Sequence, residues 1–94
     1  MKEIRFVKVP GIDVVTFGRH PGETDMHVQV NSPTVSRMHA SMRYAKRRWF
    51  MQNLSRTNPV VLNGERLPVG GSEQELHDGY QVEIGEVTFR FWSH

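Results

Sequence analysis

Met38-His39-Ala40-Ser41-Met42-Arg43-Tyr44-Ala45 repeats with a period of two, and across Lys46-Arg47 it is followed by Arg48-Trp49-Phe50-Met51-Gln52. In an extended chain that period puts Met38, Ala40, Met42 and Tyr44 on one face and His39, Ser41 and Arg43 on the other. The second run pairs with the first across the Lys46-Arg47 turn, and it places Trp49 and Phe50 on opposite faces. The unit is therefore read as a half-buried β-hairpin.

The same period recurs on both sides of this hairpin. Residues 3–9 and 13–18 are expected strands separated by Pro10-Gly11. Downstream, Val60-Val61-Leu62 and Glu65-Arg66-Leu67 flank Asn63-Gly64, a pair suited to the two positive φ angles of a type I′ turn. Gln81-Val82-Glu83-Ile84 and Val87-Thr88-Phe89-Arg90-Phe91 flank Gly85-Glu86, which suits a turn with glycine first, and Asp78-Gly79 marks the turn before them. No segment carries a helical repeat. About ten short strands without helices predict an all-β, two-sheet antiparallel β-sandwich. No internal repeat, linker or low-complexity tract divides residues 1–94, which are read as one domain.

Composition narrows the chemistry. Absence of cysteine excludes disulfides, thiolate catalysis and cysteine zinc sites. The five histidines are scattered and match no metal-ligand spacing, so neither metal nor cofactor is expected. The first residues, Met1-Lys2-Glu3-Ile4-Arg5-Phe6, alternate charge with hydrophobe and form neither a signal peptide nor a membrane span, so a cytoplasmic protein without a membrane partner is expected. Nine of the twelve basic residues are arginine, with a net charge of +2 and a pI near 9.4. Arginine's planar fork suits phosphate, and this bias alone allows either nucleic acid or a phosphopeptide.

The polar signals fall outside the strands, where a sandwich carries its chemistry. Arg19 follows a strand, Ser36-Arg37 precede one, and Thr57-Asn58 lie in the polar stretch from Asn53 to Pro59. Guanidinium, hydroxyl and amide groups converging from separate loops form the donor set that a dianionic phosphate requires. Ser36 and His39 do not read as a nucleophile and base, because no placed acid, Gly-x-Ser-x-Gly turn or oxyanion donor pair accompanies them. His39 reads instead as a hydrogen-bonded structural histidine. Asn53-Leu54-Ser55 matches the glycosylation sequon, a short pattern with a high rate of chance matches. Lys46-Arg47-Arg48 reads as a solvated turn, with no basic and aromatic stacking platform spelled out beside it. Trp92 fits either a closing position on the sandwich or an exposed contact.

Taken in order, Gly18-Arg19, Thr24-Asp25-Met26-His27-Val28, Val35-Ser36-Arg37-Met38-His39-Ala40, Asn53-Leu54-Ser55-Arg56-Thr57-Asn58, Leu62-Asn63-Gly64 and Leu76-His77-Asp78-Gly79 resemble the forkhead-associated (FHA) domain. Val82-Glu83-Ile84-Gly85 extends the resemblance, which covers about residues 4 to 92. It implies a sandwich of the FHA/SMAD type with about eleven strands, whose loops at one end bind an extended phosphothreonine peptide. By position, Arg19 and Ser36 match the family's phosphate contacts and Arg37 the next position, which often adds one. Thr57 matches a further phosphate or loop contact, and Asn58 the asparagine that holds the peptide backbone. Gly18, His39, Asn63 and Gly64 match architectural positions. The chain departs from the family's usual Ser-Thr-Asn-Gly with Arg56-Thr57-Asn58-Pro59. Proline fixes φ where glycine is permissive, which puts Asn58's reach to the peptide in question, and Arg56 adds a cation suited to selecting an acidic neighbour of the phosphothreonine. Tyr80 replaces a common acid, with no functional meaning assigned.

The function expected from these residues is phosphothreonine-dependent peptide binding in phospho-signalling, without catalysis and without a small-molecule substrate. A phosphate-independent FHA-like scaffold is the alternative that Pro59 raises. A nucleic-acid-binding β domain is the second alternative, raised by the pI and the Lys46-Arg47-Arg48 cluster.

Overall fold

The computed structural model describes residues 1–21 and 26–94, and the Thr24-Asp25 part of the motif series lies outside the described residues. Ten strands are present among the described residues, and no helix. One sheet has the order β1-β10-β9-β6-β7 and the other β3-β2-β4-β5-β8. They comprise β1 Lys2–Arg5, β2 Val14–Gly18, β3 His27–Gln29, β4 Ala40–Ala45, β5 Arg48–Asn53, β6 Val60–Leu62, β7 Glu65–Arg66, β8 Gln74–Leu76, β9 Gln81–Ile84 and β10 Val87–Trp92.

The all-β sandwich is as expected, with ten strands in place of about eleven. Both sheets are mixed, not purely antiparallel: β1 runs parallel to β10, and β2 parallel to β3. Alternating hydrophobicity records which face of a strand is buried and carries no information on the direction of its neighbour. The parallel pairs were therefore invisible to the pattern. The expected strand at 3–9 is shortened to Lys2–Arg5, followed by an isolated bridge from Val9 to Ile12 around Pro10-Gly11.

All three two-residue hairpins form. Asn63 and Gly64 have φ of 50° and 90°, and they join Leu62 to Glu65. Gly85 has φ of 61° between Ile84 and Val87. Lys46 and Arg47 also take positive φ, 53° and 65°, between Ala45 and Arg48. Non-glycine residues with Cβ atoms are disfavoured in that conformation by about 1–2 kcal/mol each.

The core lies between the sheets. Phe17 from β2 stacks on Phe89 from β10 at 5.9 Å between ring centroids, and Phe6 meets Phe17 and Phe91 at 5.8 Å each. Met42, Met51, Val60, Val82 and Ile84 complete the layer as fully buried side chains. Burying each large apolar side chain contributes about 1.5–3 kcal/mol, so Phe17 anchors the strand that ends in Gly18 and presents Arg19. Trp92 lies at the rim, its indole N–H donating to Glu3 Oε1 at 2.7 Å.

The alternation fails at one point. Met38, expected on the core face, is 39% exposed, whereas His39 is fully buried. The ladder pairs Phe17 with Ala40, yet His39 N–H also bonds the Phe17 carbonyl at 2.8 Å. Two residues of one strand thus stand against one of the next, as in a β-bulge, and the phase of the side chains changes there.

Candidate functional site

One end of the sandwich collects the end of β2, residues 35–39 ahead of β4, and residues 54–59 between β5 and β6. Arg19 N–H donates to the Ser36 carbonyl at 2.9 Å, tying the first two segments together. That approach requires glycine at 18, because a Cβ there would stand 1.9 Å from the Arg37 carbonyl oxygen. Gln29 Nε2 donates to the Arg19 carbonyl at 3.1 Å from β3. The Arg19 backbone is thus fixed on both sides, and its guanidinium has no ion-pair partner among the described residues.

Ser36 is the hub. Its Oγ lies 2.6 Å from Ser55 Oγ and accepts from Asn58 Nδ2 at 3.2 Å. Ser55 Oγ accepts from the N–H groups of Thr57, at 3.4 Å, and Asn58, at 3.0 Å. A hydroxyl has two lone pairs and one proton. With both lone pairs of Ser55 occupied, its proton goes to Ser36. Ser36 then has both of its own lone pairs filled, by Ser55 and by Asn58, and one uncommitted O–H. The network leaves Ser36 as a hydrogen-bond donor, the polarity an anion requires.

His39 holds this hub from beneath. Ser36 N–H donates to its Nδ1 at 3.1 Å, and its Nε2–H donates to the Pro59 carbonyl at 2.9 Å. Both bonds are satisfied by the neutral ring, since a proton on Nδ1 would face the Ser36 N–H. Burial lowers the His39 pKa from 6.5, against backbone hydrogen bonding to Pro59 and Asn58, which acts to raise it. The Pro59 carbonyl also accepts from Gly85 N–H at 3.1 Å, so one oxygen connects the site to the β9–β10 turn in the other sheet. Proline at 59 uses its carbonyl here and needs no N–H. Asn58 still reaches Ser36, so the substitution leaves that loop able to close on the site.

The structure brings Gly18, Arg19, Ser36, Arg37, His39, Thr57, Asn58 and Pro59 to one end, with Arg56 exposed on the same loop. Thr57 is exposed, and its Oγ1 accepts from Asn58 Nδ2 at 3.4 Å. Asn63 and Gly64 stand apart from this cluster at the tip of the β6–β7 hairpin, where Asn63 N–H donates to the Gln81 carbonyl at 2.7 Å.

Two residues that hold the site together carry no assigned role in the sequence reading. Ser55 stands in the motif series and at the end of a sequon without a role of its own, although a serine oxygen accepting from N–H groups two and three residues on is a recurrent local motif. Asn53 opens that sequon, but it is 1% exposed and structural. Its Oδ1 accepts from Ser55 N–H at 2.8 Å, and its Nδ2 donates to the Leu67 carbonyl at 3.3 Å.

The charge distribution favours the same end. Arg37 and Arg56, like Arg19, have no ion-pair partner among the described residues. At the opposite end, Arg48 of the basic cluster pairs with Glu75 at 2.9 Å, and Trp49 is buried against Tyr44 with no face free for a base. The described residues hold no group of three or more metal-ligating side chains.

Comparison with known proteins agrees with this geometry. A search among curated protein sequences finds no match. Among solved structures, the chain is similar to the N-terminal FHA domain of Saccharomyces cerevisiae Rad53p in complex with a phosphothreonine peptide, at 30% identity and a TM-score of 0.63, over 77% of this chain and 56% of that one. An engineered FHA with a Myc-pTBD peptide is 29% identical, with a TM-score of 0.64, over 79% of this chain and 56% of that one. Mycobacterium tuberculosis EmbR in complex with a low affinity phosphopeptide is 26% identical, with a TM-score of 0.69, over 83% of this chain and 19% of that one. The chain therefore spans little more than half of the first two and about a fifth of the third. The FHA domain family model matches residues 15–85, from the strand that ends in Gly18 through the β9–β10 turn that bonds Pro59, and the chain belongs to the FHA domain family.

Proposed function

We propose that this domain binds peptides containing phosphothreonine and thereby recruits kinase-modified partners, without catalysis. The observation that carries the reading is the uncommitted Ser36 hydroxyl, turned into a donor by Ser55 and Asn58, on a residue backbone-bonded to Arg19, whose guanidinium has no ion-pair partner among the described residues. A phosphorylated side chain brings about −1.5 to −2 charges and three acceptor oxygens to such a donor set. In this reading Arg37 adds a cation and Asn58 holds the peptide backbone. Family membership and neighbours solved as phosphopeptide complexes support the assignment. Each charge-assisted bond contributes about 1.5–3 kcal/mol, and immobilising a flexible peptide offsets much of the sum. The expected affinity is on the order of micromolar.

The test is retention of an oriented phosphothreonine library by the domain, with phosphoserine and unphosphorylated libraries as controls. Selective retention of phosphothreonine, lost in Arg19→Ala and Ser36→Ala variants that remain folded, is the expected result. Equal retention of all three libraries would replace this reading with phosphate-independent assembly.

A further inference from the structure

A groove of about 290 Å³ opens beside the hub. Its floor includes the buried residues Asn53, Ser55 and Leu67, one wall is Arg56 to Pro59, and the other is Arg66, Pro68 and Val69. The two chain segments that carry the walls are joined by hydrogen bonds through the floor residues and their neighbours. Asn53 Nδ2 donates to the Leu67 carbonyl, Gly70 N–H donates to the Asn53 carbonyl at 2.9 Å, and Leu67 N–H donates to the Val60 carbonyl at 2.8 Å. The groove is thus built into the backbone and continuous with Thr57 and Asn58. Its volume is at the small end of the ligand-pocket range, which suits one side chain of an extended peptide.

Its chemistry is divided. Pro59, Leu67, Pro68 and Val69 offer apolar surface, and Val69 is 49% exposed. Arg56 and Arg66 rise from opposite walls, neither has an ion-pair partner among the described residues, and no acidic side chain lines the groove. An occupant with a short apolar stem and an anionic head satisfies both parts, whereas lysine or arginine would meet two like charges.

We propose that this groove is a side-chain subsite that selects an acidic residue, glutamate or aspartate, at one position beside the phosphothreonine, with Arg66 of β7 as a selectivity residue together with Arg56. The proposal rests on the phosphothreonine reading above. Exposed ion pairs are individually weak, so two of them across a small groove give about fivefold in affinity.

The experiment measures fluorescence anisotropy with phosphothreonine peptides that are otherwise alanine, in which one glutamate, and separately one lysine, is stepped through each position on both sides of the phosphothreonine. One position should bind about fivefold more tightly with glutamate than with alanine. Arg66→Ala should reduce that gain, Arg56→Ala with Arg66→Ala should abolish it, and Arg66→Glu should reverse it in favour of lysine. Each variant's affinity for the all-alanine phosphopeptide is the reference from which its own glutamate and lysine effects are taken. A glutamate gain untouched by the arginine variants overturns the proposal, as does the absence of any gain while phosphothreonine binding persists. If the all-alanine phosphopeptide binds no better than its unphosphorylated form, the phosphothreonine reading fails first and the subsite falls with it.

Discussion

Replacing Ser55 with alanine tests the logic of the site more sharply than removing any residue expected to touch phosphate. Ser55 is 3% exposed and is not among the residues expected to touch phosphate, yet its Oγ fills one lone pair of Ser36 and accepts from Thr57 and Asn58. Without it, the Asn58 N–H loses its acceptor, which costs about 1–3 kcal/mol. Each kcal/mol lowers the melting temperature of a domain this size by about 4–8 °C. In the folded variant, Ser36 has a free lone pair, and its proton is no longer directed solely outward. Phosphopeptide affinity should fall by about 1 kcal/mol, roughly fivefold. Ser36→Ala removes the charge-assisted bond itself, worth about 1.5–3 kcal/mol, or roughly ten- to hundredfold. Because Ser55 acts on binding through Ser36, the double variant should bind like Ser36→Ala alone, with a coupling of about 1 kcal/mol. Titration calorimetry with one phosphothreonine peptide, below the melting temperature of every variant, measures all four corners of the cycle. Fully additive penalties would show that Ser55 does not set the polarity of Ser36.

The lowered His39 pKa gives a pH dependence with a fixed sign. The unfolded chain takes up a proton near pH 6.5 that the folded domain refuses, so stability should hold above pH 7 and fall as pH drops below 6.5. Thermal melts without peptide should show that slope, and His39→Gln should flatten it while lowering the melting temperature at pH 7.5. Gly18→Ala should destabilise by about 1–3 kcal/mol and abolish phosphopeptide binding, because the added Cβ meets the Arg37 backbone; a variant that melts and binds normally would disprove the close approach. Lys46→Asn with Arg47→Gly should raise stability by about 1–2 kcal/mol in a chemical denaturation curve, since both residues occupy positive φ. The same change should leave phosphopeptide affinity unaltered, because the turn lies at the end of β4 away from His39.

The parts of the fold legible in the sequence were those set by neighbours along the chain. Period-two runs gave the strands, and Asn63-Gly64 and Gly85-Glu86 gave their turns, because the backbone preferences of those residues are local. Strand direction was hidden, since an edge strand alternates identically beside a parallel or an antiparallel neighbour. The site divided along the same line. Arg19, Ser36 and Asn58 carry recognisable donors at recognisable positions. Ser55 gains its meaning from a hydroxyl nineteen residues earlier in the chain. Arg66 gains its meaning only once the β6–β7 hairpin sets it across a groove from Arg56. The alternation puts His39 on the face opposite Ala40, whereas the structure buries it, because one extra residue in the ladder shifts the phase.

The Pro59 carbonyl, accepting from both His39 and Gly85, has a consequence for how sites of this kind drift in sequence. The atom that joins the two sheets beneath the hub belongs to the main chain, and every amino acid carries it. Mutation at position 59 therefore cannot delete the tie; it can only move it. A pattern written in side chains registers proline for glycine as damage to the motif, whereas the bonded atom is the same in both. Divergence at such a position is close to neutral for the architecture and remains free to be spent on the surface beside it, where Arg56 and Pro59 already differ from the common form. Recognition preferences can then change from one relative to the next while the support of the phosphate pocket stays intact.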